Sequence, residues 1–243
     1  MFNKKNLIIG FIVLLVLGSI CFFNWFYVSG TWRYKMTVVV ETPEGIKTGY
    51  AVREISNSAP KAYLIDIPEA TNPAKVRGEA VTVDLGERGV LFATLKGYRL
   101  LENFPSAVFY SAFPYEGGAT TYAGIKHYKN LKNAKAVLKP ENYPVLVTYT
   151  DKNDATSIKP AMEMDINFKG KTIIVEKKDH FEEIFGQGVR LKEIVIETTD
   201  EPVTSKIESY LPEYDNSFWE WYRSLNYADI RRITPQYFNY YSP

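Results

Sequence analysis

The sequence predicts a transmembrane helix followed by a β-rich α+β domain, with antiparallel sheets in a sandwich-like arrangement and a few short helices. Three observations carry this prediction. Leu7–Val28 is a run of 22 residues without a charged side chain, and Asn24 is its one strongly polar residue. Eight later segments read as extended chain, several with apolar residues at every second position and turn residues at their ends. Helical patterns in the body are fewer and short.

At ~1.5 Å per helical residue the first run reaches about 33 Å, enough for a hydrocarbon core of about 30 Å. It ends in Phe22, Phe23, Trp25, Phe26 and Tyr27. Bulky aromatics suit a membrane interface and fit a small-residue cleavage site poorly. Ile20 before Cys21 argues against lipid attachment, and the absence of a polar face argues against a surface helix of a soluble core. Lys4 and Lys5 precede the run whereas Arg33 and Lys35 follow it, and a short positive N-terminal tail is normally retained in the cytoplasm. The expected organisation is a cytoplasmic tail at 1–6, a membrane anchor at 7–28, an extracytoplasmic β-rich domain at 29–212 and an aromatic-rich tail at 213–243. The expected location is the cytoplasmic (inner) membrane, crossed once, with a periplasmic body.

Tyr34, Met36, Val38 and Val40 alternate in the first strand, and Thr42-Pro43-Glu44-Gly45 turns the chain into a second at 46–55. Residues 80–85 and 89–95 form another hairpin across Gly86-Glu87-Arg88-Gly89. Further strands are expected at 107–113, 145–150, 171–176 and 189–198. Helices are expected at 125–138, 179–185, 203–211 and 217–225, the second capped by Asp179 and stopped by Gly186. Proline marks 56–78 as a loop, and 114–124 reads as another.

Composition narrows the function classes. Beyond residue 28 the chain carries 27 basic and 28 acidic side chains, so no global charge draws it to nucleic acid. Cys21 is the single cysteine, which excludes disulfides, thiolate zinc sites and a cysteine nucleophile from the body.

The segments GEAVTVDLGERGVLFATLKG (78–97), NYPVLVTYTDKNDATSI (142–158) and FGQGVRLKEIVIETTDEPVTSKIESYLP (185–212) resemble a family of uncharacterised membrane-anchored proteins of Gram-negative bacteria. Gln187 departs from that pattern, where the family tends to have proline, as does the long aromatic tail after Pro212. The resemblance implies an N-terminal hydrophobic segment and a short strand-rich extracytoplasmic domain, and it implies no activity, cofactor or site residue.

Candidate chemistry is sparse. Lys47-Thr48-Gly49 and Ser58-Ala59-Pro60-Lys61 look like fragments of serine acyltransferases, but their order in the chain is reversed and Pro60 interrupts the second. His127 and His180 lack metal-ligand spacing, and Asp151-Lys152-Asn153-Asp154 lacks the glycine and next ligand of a calcium loop. Five lysines between Lys126 and Lys139 read as a solvated helix face. No catalytic, cofactor-binding or metal residue is assigned.

The tail from Ser217 to Pro243 holds nine aromatics in 27 residues together with Arg223, Arg231 and Arg232. Either it packs back on the sheet or it presents a contact surface of Phe218, Trp219, Trp221, Tyr222 and Arg223. The expected function is a binding or assembly role at the envelope, with other envelope proteins as partners and the membrane engaged through residues 7–28. A membrane-tethered hydrolase and a purely structural envelope component are the alternatives.

Overall fold

A computed structural model describes residues 4–61, 74–99, 103–170 and 172–241. The chain divides into two compact units, one of residues 1–31, 56–74 and 115–130, the other of residues 32–55, 75–114 and 131–243.

The first unit contains α1 (Lys4–Phe26), the outer ends of β1 (Tyr27–Thr42) and β2 (Gly45–Pro60), and α3 (Tyr122–Asn130). In α1, Phe11, Ile12, Val13 and Leu14 are 64, 53, 49 and 69% exposed. Four successive residues point to four sides of a helix, so no face of α1 is covered by protein there. Counted on described residues, no helix is long and apolar enough to cross a membrane. The uninterrupted stretch of α1 with described side chains is Ile8–Ile20, whereas the uncharged run of the sequence extends from Leu7 to Val28. At the strand ends the Thr31 and Ser56 hydroxyls share a 3.0 Å hydrogen bond, and the Lys61 amide donates to the Phe26 carbonyl. Thr121 caps α3 by accepting from the Gly124 amide at 3.0 Å, and His127 stacks on Tyr115 with centroids 4.4 Å apart.

The second unit holds the sheets. Its remaining elements are β3 (Lys75–Glu79), β4 (Val81–Asp84), β5 (Val90–Gly97), α2 (Phe104–Ala112), β6 (Lys135–Val137), β7 (Pro144–Tyr149), β8 (Ile158–Pro160), β9 (Met162–Lys169), β10 (Thr172–Asp179), α4 (Phe181–Phe185), β11 (Arg190–Thr199), α5 (Asn216–Ser224) and β12 (Asn239–Tyr241). The strands form a six-stranded sheet in the order β12-β3-β2-β1-β11-β6, a four-stranded sheet in the order β4-β5-β7-β8, and the β9–β10 hairpin. The architecture is β-rich and antiparallel with a few short helices, consistent with a sandwich-like domain.

Alternation in β1 does what period 2 requires: Tyr34, Met36, Val38 and Val40 are fully buried. Gly49 lets β2 approach β4, since a Cβ there would sit 1.9 Å from the Thr82 carbonyl oxygen. Residues 107–113, expected as a strand, lie instead in α2 and at its end. Pro105 sits in the first turn of α2 and Phe104, Val108 and Phe109 are buried, a helical spacing that its β-branched and aromatic composition masks. Phe109 packs on Tyr34 at 5.4 Å, and the Tyr34 hydroxyl donates to the Pro105 carbonyl.

The helix expected over 125–138 ends at Asn130, and 135–137 pairs with β11 instead. Positive φ at Asn133 turns the chain between the two. The helix expected over 203–211 is reduced to a 3-10 turn at Ile207–Tyr210. The loop expected over 56–78 is partly strand, because β2 runs to Pro60 and β3 begins at Lys75; residues 62–73 lie outside the described residues. Asp179 accepts from the Phe181 amide at 2.9 Å at the start of α4, and Gly186 ends that helix with φ 99°.

Candidate functional site

The C-terminal segment is built into the second unit. Ile233 and Phe238 are fully buried in a cluster with Phe92, Val145, Val147, Tyr149, Ile158 and Ile207, and Trp221 and Tyr214 pack against it. Asp215 caps α5 by accepting from the Phe218 amide at 3.0 Å, and β12 pairs with β3. Phe218, 1% exposed, is therefore core, while Trp219, Trp221 and Tyr222 are half-buried and Arg223 is exposed.

Between this segment, the ends of β5 and β8, and the β9–β10 hairpin lies an open cleft of about 1270 Å³. Its floor is positioned by a bulge. Pairing of β5 with β7 shifts register between Ala93 and Gly97, and the Thr94 hydroxyl fills the irregularity by donating to Val145 and accepting from the Lys96 amide. A bulge re-aims the side chains beside it, here Lys96. Gly97 is required at the strand end, because a Cβ would lie 2.3 Å from the Phe104 ring. Tyr98 fixes the hairpin base: its hydroxyl donates to the Met162 carbonyl and accepts from the Leu146 amide, and burial pushes its ionisation well up.

The tail wall carries the charge of interest. Arg231 forms a bidentate pair with Asp229 at 3.0 and 2.7 Å, which holds the Asp229 carboxyl below its ordinary range. Arg232 and Lys96 have no such partner among the described residues. The Arg232 guanidinium lies 4.4 Å over Tyr222 and 6.0 Å from Tyr227, and it donates to the Leu225 carbonyl at the end of α5 at 2.9 Å. Half-buried Lys96 donates to the Arg232 carbonyl at 3.3 Å, with its ammonium 5.5 Å over Tyr237. Burial, then the charge of Arg232, hold Lys96 below the usual lysine range, against a smaller opposing pull from Asp229.

The hairpin wall is mixed. Asp165 stands opposite Glu176 across the strands, and Glu163 is held by Lys178 at 3.4 Å and by His180 at 3.0 Å. His180 also meets Glu183 at 3.0 Å, and these two carboxylates, Glu183 first, raise its basicity. The hairpin paired around Met164, Ile166, Ile173 and Val175 leaves Phe168 and Ile174 exposed.

Other sequence candidates resolve into ordinary structure. Lys47-Thr48-Gly49 lies within β2, and so does Ser58. Asp151 and Asp154 accept from the Asn153 and Thr156 amides, which is turn chemistry. Among the described residues no three potential ligands of the His, Cys, Asp and Glu types gather for a metal. The structure brings Tyr222 to the cleft; Lys96 carries no local sequence signal, because the bulge and the tail that meet there are far apart in the chain.

Compared with models of known families, with curated proteins and with solved structures, the chain matches none.

Proposed function

We propose that this chain is a single-pass membrane protein, anchored by α1 with its body outside the cytoplasm, and that the body binds a ligand in the cleft between the β9–β10 hairpin and the C-terminal segment. The anchor rests on one observation above all: eleven large apolar side chains of α1, from Ile8 to Phe22, are about half exposed or more. Each such side chain left in water forgoes about 1.5–3 kcal/mol of burial, so eleven half-exposed ones forgo on the order of 10 kcal/mol, comparable with the whole stability of a domain. A lipid environment removes that cost. The aromatic exit at Phe22–Tyr27 and the lysines at 4 and 5 support an interfacial belt and a cytoplasmic N-terminus.

For the body, a wide cleft with aromatic rings and charges lacking carboxylate partners favours recognition of a ligand. Its lining among the described residues contains no serine, threonine or cysteine, so it offers no hydroxyl or thiol nucleophile of those types. Orientation is tested by adding protease to intact spheroplasts. Residues 29–243 are expected to be digested; a protected body overturns the orientation.

A further inference from the structure

Resting on the reading of the cleft as a ligand site, we infer that its ligand is a small organic anion, with its carboxylate or phosphate between the Lys96 ammonium and the Arg232 guanidinium and its body against Tyr227. Both cations line the cleft, Lys96 from the β5 bulge and Arg232 from the C-terminal segment, and neither forms an ion pair among the described residues, whereas neighbouring Arg231 is neutralised by Asp229. The Arg232 side chain is held by Tyr222 and by the Leu225 carbonyl, so little conformational freedom remains to be lost on binding. Two like charges in a partly desolvated site repel, and an anion between them relieves that repulsion while making charge-assisted hydrogen bonds. Burial first, and then the repulsion from Arg232, hold the Lys96 ammonium below its ordinary range against a smaller opposing pull from Asp229. Tyr227, at 92% exposed, offers an uncovered ring beside Arg232. An aromatic face of that kind suits a ligand with a flat apolar body.

The test uses the full chain in detergent micelles with 3-fluorotyrosine at position 227, titrated with phenyl phosphate, benzoate and neutral benzyl alcohol. At least one anion is expected to shift the fluorine signal saturably, with benzyl alcohol weaker by about tenfold or more. Phenyl phosphate alone identifies phosphate as the recognised group, and benzoate alone identifies carboxylate. Arg232 also caps α5, so Lys96→Met and Lys96→Glu carry the mutational arm: about tenfold weakening or complete loss is expected, while Lys152→Gln, in an exposed turn outside the cleft, leaves binding unchanged. Equal affinity for benzyl alcohol, or undiminished anion binding in Lys96→Met, overturns the anionic class while leaving the cleft as the site. A silent signal with all three probes overturns the cleft reading as well.

Discussion

Replacing Phe238 by alanine removes a ring with no exposure, packed edge-on against Phe92 at 5.5 Å and tilted against Tyr149 at 5.9 Å. The backbone contact from the Ala80 amide to the residue 238 carbonyl, 2.8 Å, survives the substitution, so the loss isolates the side chain. Truncating a buried phenylalanine costs about 3–5 kcal/mol, combining lost transfer energy with the cavity left behind. The rings around Phe238 come from strands in the middle of the four-stranded sheet, which collapse little, and this places the expected loss near the upper end, about 4 kcal/mol. Urea unfolding of the full chain in micelles, followed by far-UV circular dichroism, measures it. Tyr227→Ala, at an exposed ring, is the internal control and is expected within about 0.5 kcal/mol of the parent. If Phe238→Ala costs no more than Tyr227→Ala, the C-terminal segment is not core and does not form a fixed wall of the cleft.

Two further predictions concern charge. Arg53 is fully buried, donates to the Glu79 carbonyl at 2.9 Å, and leaves Nη2 without a partner, with no carboxylate ion-paired to it among the described residues. Arg53→Met trades a desolvation cost of several kcal/mol against an orphaned carbonyl worth about 1–3 kcal/mol, so its urea midpoint is expected unchanged or raised, whereas Arg53→Ala opens a cavity and lowers it; a methionine variant as unstable as the alanine one contradicts this. Glu44 is held down to about 2 by Arg88, so its contribution is complete above its ordinary value of 4.5 and is lost as pH falls through about 2. The stability difference between the parent and Glu44→Gln should therefore be flat above pH 5 and shrink between pH 4.5 and 2, and a difference constant across that range refutes the pairing.

The elements legible in the sequence are those whose signal is local. Tyr34, Met36, Val38 and Val40 announce β1 by alternation, and the proline-glycine turn announces its hairpin with β2. The helix expected over 217–225 is likewise found as α5, with Phe218 buried and Trp221 packed against the core. Elements set by distant partners are not legible: Lys135–Val137 becomes strand only because Val195–Glu197 pairs with it, and β12 forms on β3. In α2 the local signals conflict, since Val108, Phe109 and Tyr110 favour extended chain while Pro105 and the buried spacing favour helix, and packing on Tyr34 decides. The site was half legible. The aromatic-arginine composition of 217–243 marks the wall, but which rings face the core and which face the cleft depends on Ile233 and Phe238 inserting beneath them.

Whether lipid holds α1 is read by alkaline carbonate extraction of membranes carrying the full chain. The full chain is expected to stay in the membrane pellet, while a chain lacking residues 1–26 is expected in the supernatant. Release of the full chain by carbonate would contradict the lipid anchor.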